Sequence, residues 1–218
     1  MGRRRDPPPL GETVRRQSQP CQNVSMNVLT KFSARMSIDE FLAWEPGDGQ
    51  TWQLVDGEPH VMAPAAPTHA YLQAELSRLI GNHLLETGSP CRVATEPGIV
   101  PPALGGRNMR VPDLAVTCAG DTDAVALPDP LLAVEILSPG NAPKTWANVW
   151  AYITIPSVQE VLVLHSMEIG AEVLRRRPDG TWPAVAEEVT TGELVLDSIG
   201  FRVLLASVYR TTRLRPRA

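Results

Sequence analysis

Leu131-Leu132-Ala133-Val134-Glu135-Ile136-Leu137 sets a single carboxylate among six apolar side chains. A short apolar run bounded by turn residues reads as a strand covered on both faces. Burying an ionised carboxylate is costly unless it is paired, coordinates a metal or takes up a proton, so Glu135 needs a compensating partner.

The preceding apolar stretch, Met109-Arg110-Val111-Pro112-Asp113-Leu114-Ala115-Val116-Thr117, is read as a strand over 109–117 and supplies a second acid. Between the two lies Cys118 to Pro130, rich in Asp, Gly and Pro, which reads as a loop. An antiparallel pair keeps the sum of opposed residue numbers constant, and the loop midpoint near residue 124 sets that sum near 248. Asp113 and Glu135 satisfy it, which places them opposite each other with Cβ atoms roughly 5 Å apart, close enough to share a divalent cation. A slip of one residue would move one acid to the other face. Two readings stand at this point: a metal or catalytic pair, or Glu135 paired with an arginine such as Arg110 while Asp113 caps a turn after Pro112.

Outward from this pair, further strands are expected at 91–96, 159–165, 168–176 and 181–188, the last two joined across Pro178-Asp179-Gly180. A helix from Lys144 to about Thr154 interrupts them, and a closing helix is expected from Phe201 to Tyr209. Towards the N-terminus, Thr68 is expected to cap a helix from His69 to about Thr87, with Leu72, Leu76, Leu79, Ile80, His83 and Leu84 on one face and Gly88 ending it. Trp52-Gln53-Leu54-Val55 and Glu58-Pro59-His60-Val61-Met62, joined by Asp56-Gly57, read as a hairpin with a type I′ turn whose Pro59 restricts it to an edge. Ser37-Ile38-Asp39-Glu40 has the capping-box pattern and opens a short helix through Trp44. This order gives an α/β (mixed α+β) fold with a central mixed β-sheet flanked by helices.

Three segments are expected: a disordered basic extension over 1–35, one folded domain over 36–209 and a basic tail over 210–218. Either Met26 or Met36 is a candidate true start. Residues 36–209 hold 9 basic against 22 acidic side chains, a formal charge of −13. Such a body repels phosphate backbones at long range, so it does not by itself confer strong non-specific DNA binding. Cys21, Cys91 and Cys118 are too few and too scattered for a disulfide framework or a thiolate zinc site, their odd number fits a reducing compartment, and they read as merely small residues. No apolar run reaches the length of a membrane span and no signal peptide is evident, so the expected location is cytoplasmic with no membrane partner.

The joint pattern of Val111-Pro112-Asp113, Val134-Glu135-Ile136-Leu137-Ser138-Pro139, Tyr152 and Ile155-Pro156-Ser157-Val158 resembles the Uma-type restriction-endonuclease family. Trp52 to Glu58, Met62 and His69 are similar to its hairpin and first helix. The resemblance spans about 36–209 and implies a restriction-endonuclease-like core with the Pro-Asp…Asp/Glu-x-Lys signature. It also implies Mg²⁺- or Mn²⁺-dependent hydrolysis of DNA phosphodiester bonds, with Asp113 and Glu135 as metal ligands. The chain departs from that pattern at Leu137, which stands where the signature has lysine, and at Gln53, which stands where the family often has glutamate. Family members often carry a lysine four residues before the tyrosine, and here that position is Asn148. Lys144, one helical turn earlier, is the candidate replacement. His69 is a candidate base or ligand, and Glu58 a further acid.

Three functions are weighed on this basis. The first is a metal-dependent endonuclease acting on nucleic acid, with DNA expected, and a possible homodimer because cutting both strands commonly takes two sites. The second is a catalytically degenerate module on the same fold. A carboxylate-pair glycosidase is the third, to which 5% aromatic content lends little support.

Overall fold

The computed structural model describes residues 35–47, 49–120 and 122–215, and for Leu104 the backbone alone. The expected basic extension therefore lies outside the described residues except for Arg35, as do the last three residues of the expected tail.

At the start, Ser37 caps α1 (Ile38–Leu42), its hydroxyl accepting the Glu40 N–H while Glu40 accepts the Ser37 N–H at 2.7 Å. The hairpin follows as β1 (Trp52–Val55) and β2 (Glu58–Val61), paired antiparallel. Its turn has φ of 50° at Asp56 and 83° at Gly57, the two positive values that a type I′ turn requires. At Gly57 a Cβ would also meet the Arg35 Cβ at 2.6 Å and the Met36 carbonyl oxygen at 3.0 Å. We expect Gly57→Ala to cost about 1–3 kcal/mol, through strain at positive φ and displacement of the incoming chain, read as a lower midpoint in urea with unchanged slope.

Next comes α2 (Pro67–Glu86). It starts two residues before the expected His69, with Ala66 at the N-cap and no side-chain cap, so Thr68 lies inside the helix. Pro67 decides the boundary, because the first helical position loses nothing by lacking an N–H. Leu72, Leu76, Ile80 and Leu84 are buried, and Gly88 follows the helix with φ of 63°.

The main sheet runs β3 (Arg92–Thr95), β4 (Leu114–Thr117), β5 (Pro130–Leu137), β6 (Glu160–His165), β7 (Ala171–Arg175) and β8 (Glu187–Val189), in that spatial order. Every neighbouring pair is antiparallel except β5 and β6, which are parallel and connected through α3 (Ala142–Tyr152). This is the mixed sheet flanked by helices. Alternation along β5 divides its environment: Leu132, Val134 and Ile136 pack with the α2 leucines, whereas Ala133 packs with Val149 and Tyr152 of α3. Glu135 lies on the α3 side by the same period of two.

Four expectations are corrected. The strand read over 109–117 is regular only from Leu114, with Met109 and Arg110 making isolated bridges to Leu54 and Ile99. The strand expected over 181–188 shrinks to β8, because Pro183 has no N–H to donate and pairing resumes only at Glu187. Phe201 to Leu204 is a strand, β10, paired with β9 (Glu193–Leu196), and only Leu205–Val208 is helical, as α4. Cys91 and Cys118 form a disulfide. The Arg92↔Thr117 pairing of β3 with β4 sets Cys91 directly opposite Cys118, so strand register brings together two thiols that are distant in sequence. The reading of Cys91 and Cys118 as merely small residues is thereby corrected.

No helix among the described residues is long and apolar enough to cross a membrane.

Candidate functional site

The β4–β5 ladder has the pairs Leu114↔Val134, Ala115↔Ala133 and Val116↔Leu132, each summing to 248, and it slips only between Val116 and Thr117. The slip falls at the far end from the acids, and regular pairing ends at Leu114↔Val134, one residue short of Asp113. Asp113, just before β4, turns its carboxylate into the ladder, and Oδ2 accepts the Ile136 N–H at 2.5 Å. Asp113 is therefore no turn cap after Pro112. The β3–β4 register, summing to 209, brings Glu96 beside Asp113, and the Glu96 N–H bonds the Asp113 carbonyl at 3.1 Å. Glu96 just past β3, Asp113 just before β4 and Glu135 within β5 thus come from three adjacent strand segments.

Glu135 is buried, and its Oε1 accepts the Tyr152 hydroxyl at 2.5 Å and the Asn148 amide at 3.1 Å. Both donors come from α3, four residues apart and therefore on one face of the helix. Arg110 bonds Asn148 Oδ1 at 3.2 Å and Asn108 Oδ1 at 2.9 Å, so it reaches Glu135 through Asn148 in place of the direct ion pair considered from sequence. Burial pushes the Glu135 carboxyl up to about 8, with the Asp113 charge adding to the rise, while Tyr152, Asn148 and Lys144 pull against it. Burial and then the adjacent Glu135 raise the Tyr152 phenol well above its ordinary range.

His69 enters from the first turn of α2, held by both ring nitrogens: Nε2 lies 2.9 Å from Asp113 Oδ1 and Nδ1 lies 3.1 Å from Ser138 Oγ. Lys144, in the first turn of α3, is exposed and near enough to Glu135 to lower its proton affinity. His69, Asp113, Glu135 and Lys144 all line one cleft of about 650 Å³, together with Glu96, Ser138, Asn141 and Asn148. Glu58 is exposed on β2 and is not part of that lining, and Gln53 is buried outside it. Glu96 and Ser138 did not stand out in the sequence. Glu96 becomes legible only through the register of β3, and Ser138 only through the turn that carries β5 into α3.

A mixed sheet that presents an acid pair at the ends of adjacent strands, with helices covering both faces, defines a restriction-endonuclease-like core. The chain belongs to the family described as Uma2, putative restriction endonuclease, whose model matches residues 38–206. It is similar to an uncharacterized protein of Synechocystis sp., with 26% identity over 179 residues, covering 81% of this chain and 92% of that protein. A crystal structure of a putative nuclease belonging to DUF820, from Anabaena variabilis, shares the fold with a TM-score of 0.65 at 17% identity. That likeness covers 80% of this chain and 97% of the other.

Proposed function

We propose that the chain is a metal-dependent endonuclease that hydrolyses DNA phosphodiester bonds, with Asp113 and Glu135 holding a divalent cation such as Mg²⁺ or Mn²⁺. The observation that carries this reading is two acids lining one cleft, Asp113 and Glu135, both of them buried. Carboxylate oxygens from two acids in one cleft are donors that a hard divalent cation takes, so Asp113 and Glu135 would suit such an ion. Among the described residues no group of three or more His, Cys, Asp or Glu side chains is placed to hold a metal. Mg²⁺ does not demand one, since it commonly takes one or two carboxylates and completes its shell with water and substrate phosphate.

When bound, such an ion would polarise a phosphoryl oxygen and lower the pKa of a water. The chain's own residues do the rest. Tyr152 and Asn148 fix the Glu135 carboxylate, and Arg110 fixes the Asn148 amide in turn. The Ile136 N–H fixes Asp113. Lys144 supplies positive charge at the cleft, opposing the repulsion between the acidic body and a phosphate backbone. His69 stands at the same wall, its ring held between Asp113 and Ser138.

The test is nicking of supercoiled plasmid by the full chain in Mg²⁺ or Mn²⁺. We expect cleavage with either ion, none in chelator, and losses of at least about a hundredfold in Asp113→Ala and in Glu135→Ala. A protein that cuts neither DNA nor RNA with either metal is the degenerate module instead, a nuclease fold kept for binding.

A further inference from the structure

We propose that Ser138 is an activated nucleophile and that the cleft has a second, metal-independent activity: hydrolysis of carboxylic esters with a small acyl group. Ser138 Oγ lies 3.1 Å from His69 Nδ1, and His69 Nε2 lies 2.9 Å from Asp113 Oδ1. Asp113 is fixed on its other oxygen by the Ile136 N–H at 2.5 Å. The direction of the chain follows from donor and acceptor inventories. With the ring hydrogen on Nε2, facing the Asp113 oxygen, Nδ1 presents its lone pair to the Ser138 hydroxyl. A hydroxyl, a base and a group that orients the base, each within hydrogen-bond reach of the next, is the arrangement that activates a serine.

The placement of Ser138 serves the same role. It follows the last residue of β5 on the turn into α3, where its N–H donates to Asn141 Oδ1 at 2.9 Å and its carbonyl accepts the Asn141 N–H at 3.2 Å. Gly140 in that turn has φ of 83°. The hydroxyl is half-buried on a strand-to-helix corner that is tied to itself, and it lines the cleft. Val61, Met62, Ala63 and Ala65 line the same cleft and suit a short acyl chain. Lys144 is the positive charge available there for a carbonyl oxygen that turns anionic.

The reaction balances without a cofactor. Ser138 Oγ bonds to the ester carbonyl carbon while its proton passes to His69 Nδ1. The bond from that carbon to the alkoxy oxygen then breaks, and the alcohol leaves with the proton. Water attacks the acyl-serine by the same route in reverse, releasing the acid and restoring the hydroxyl.

The experiment uses the full chain in excess chelator. It is treated with an alkyl fluorophosphonate, which forms a phosphorus–oxygen bond to an activated serine and expels fluoride, and with 4-nitrophenyl acetate. We expect one adduct per chain, mapped to Ser138 by peptide mass and absent in Ser138→Ala, with a nitrophenol burst of one equivalent. Adduct formation should slow by about a hundredfold or more in His69→Ala and in His69→Gln, the second keeping a polar side chain should the first unfold. Circular dichroism confirms which variants are folded. No adduct on Ser138, a label that survives Ser138→Ala, or an unchanged rate in a folded His69 variant overturns the proposal. Because chelator is present throughout, this outcome is separate from the nuclease reading, which the nicking assay decides alone.

Discussion

In metal-free buffer at pH 8, Glu135→Gln should raise the melting temperature by about 10 °C, with the gain fading as the pH is lowered towards 4.5. A carboxyl that titrates near 8 when folded, against an ordinary value of 4.5, holds its proton more tightly in the folded state. The stability this confers is whole below pH 4.5 and is lost as pH rises through 8. Integrated to pH 8, the loss is on the order of 4 kcal/mol, or about 10 °C for a domain of this size. Glutamine has nearly the same shape and stays neutral, and its carbonyl oxygen can still accept the Tyr152 hydroxyl and the Asn148 amide. Melting curves of the two proteins from pH 4.5 to 9 in chelator check the effect. A difference that does not change with pH would mean that Glu135 is ionised throughout and that its partners already compensate the charge. Added Mg²⁺ should stabilise the native chain at pH 8 and leave Glu135→Gln unchanged, since a ligand that binds only the folded site raises its stability by mass action.

The second large effect belongs to the core on the opposite face of the sheet from that acid. Leu162, on β6, is fully buried, pairs with Val134 in the parallel β5–β6 ladder and packs in the cluster that α2 completes. Leu162→Ala should cost about 2–5 kcal/mol, since the vacated volume is walled by sheet neighbours and helix side chains that cannot collapse into it. Leu85→Ala is the control: Leu85 is 82% exposed on the outer face of α2, and the expected change is within about 0.5 kcal/mol. Urea titrations of the two variants should separate them clearly. Equal effects would place Leu162 outside the tightly packed core.

Most of this architecture was legible from local chemistry. The Ser37 capping box, the Asp56-Gly57 turn and the α2 leucine stripe each depend on residues a few positions apart, where hydrogen-bond geometry and helical period act directly on the sequence. The errors came where a long-range partner or a backbone exclusion decided. Phe201 to Leu204 has residues that suit either a helix or a strand, and pairing with β9 chooses the strand. Ala66, rather than Thr68, became the N-cap because Pro67 is best placed at the first helical position.

For the site, the sequence alone determined that Glu135 is buried and, from the length of one loop, the register of the β4–β5 pair that ends beside Asp113. An isolated charge in an apolar run and a constant residue sum are both properties of the chain itself. Only the tertiary structure decided what surrounds the pair. Tyr152, Asn148 and Lys144 reach it because the β5–α3–β6 crossover lays α3 against one face of the sheet, and His69 because α2 covers the other and starts beside the strand ends. Cys91 meets Cys118, and Glu96 meets Asp113, by the register of a strand pair separated by a long connection. Side-chain chemistry fixes which groups need partners, whereas helix docking and strand pairing over tens of residues fix which partners arrive.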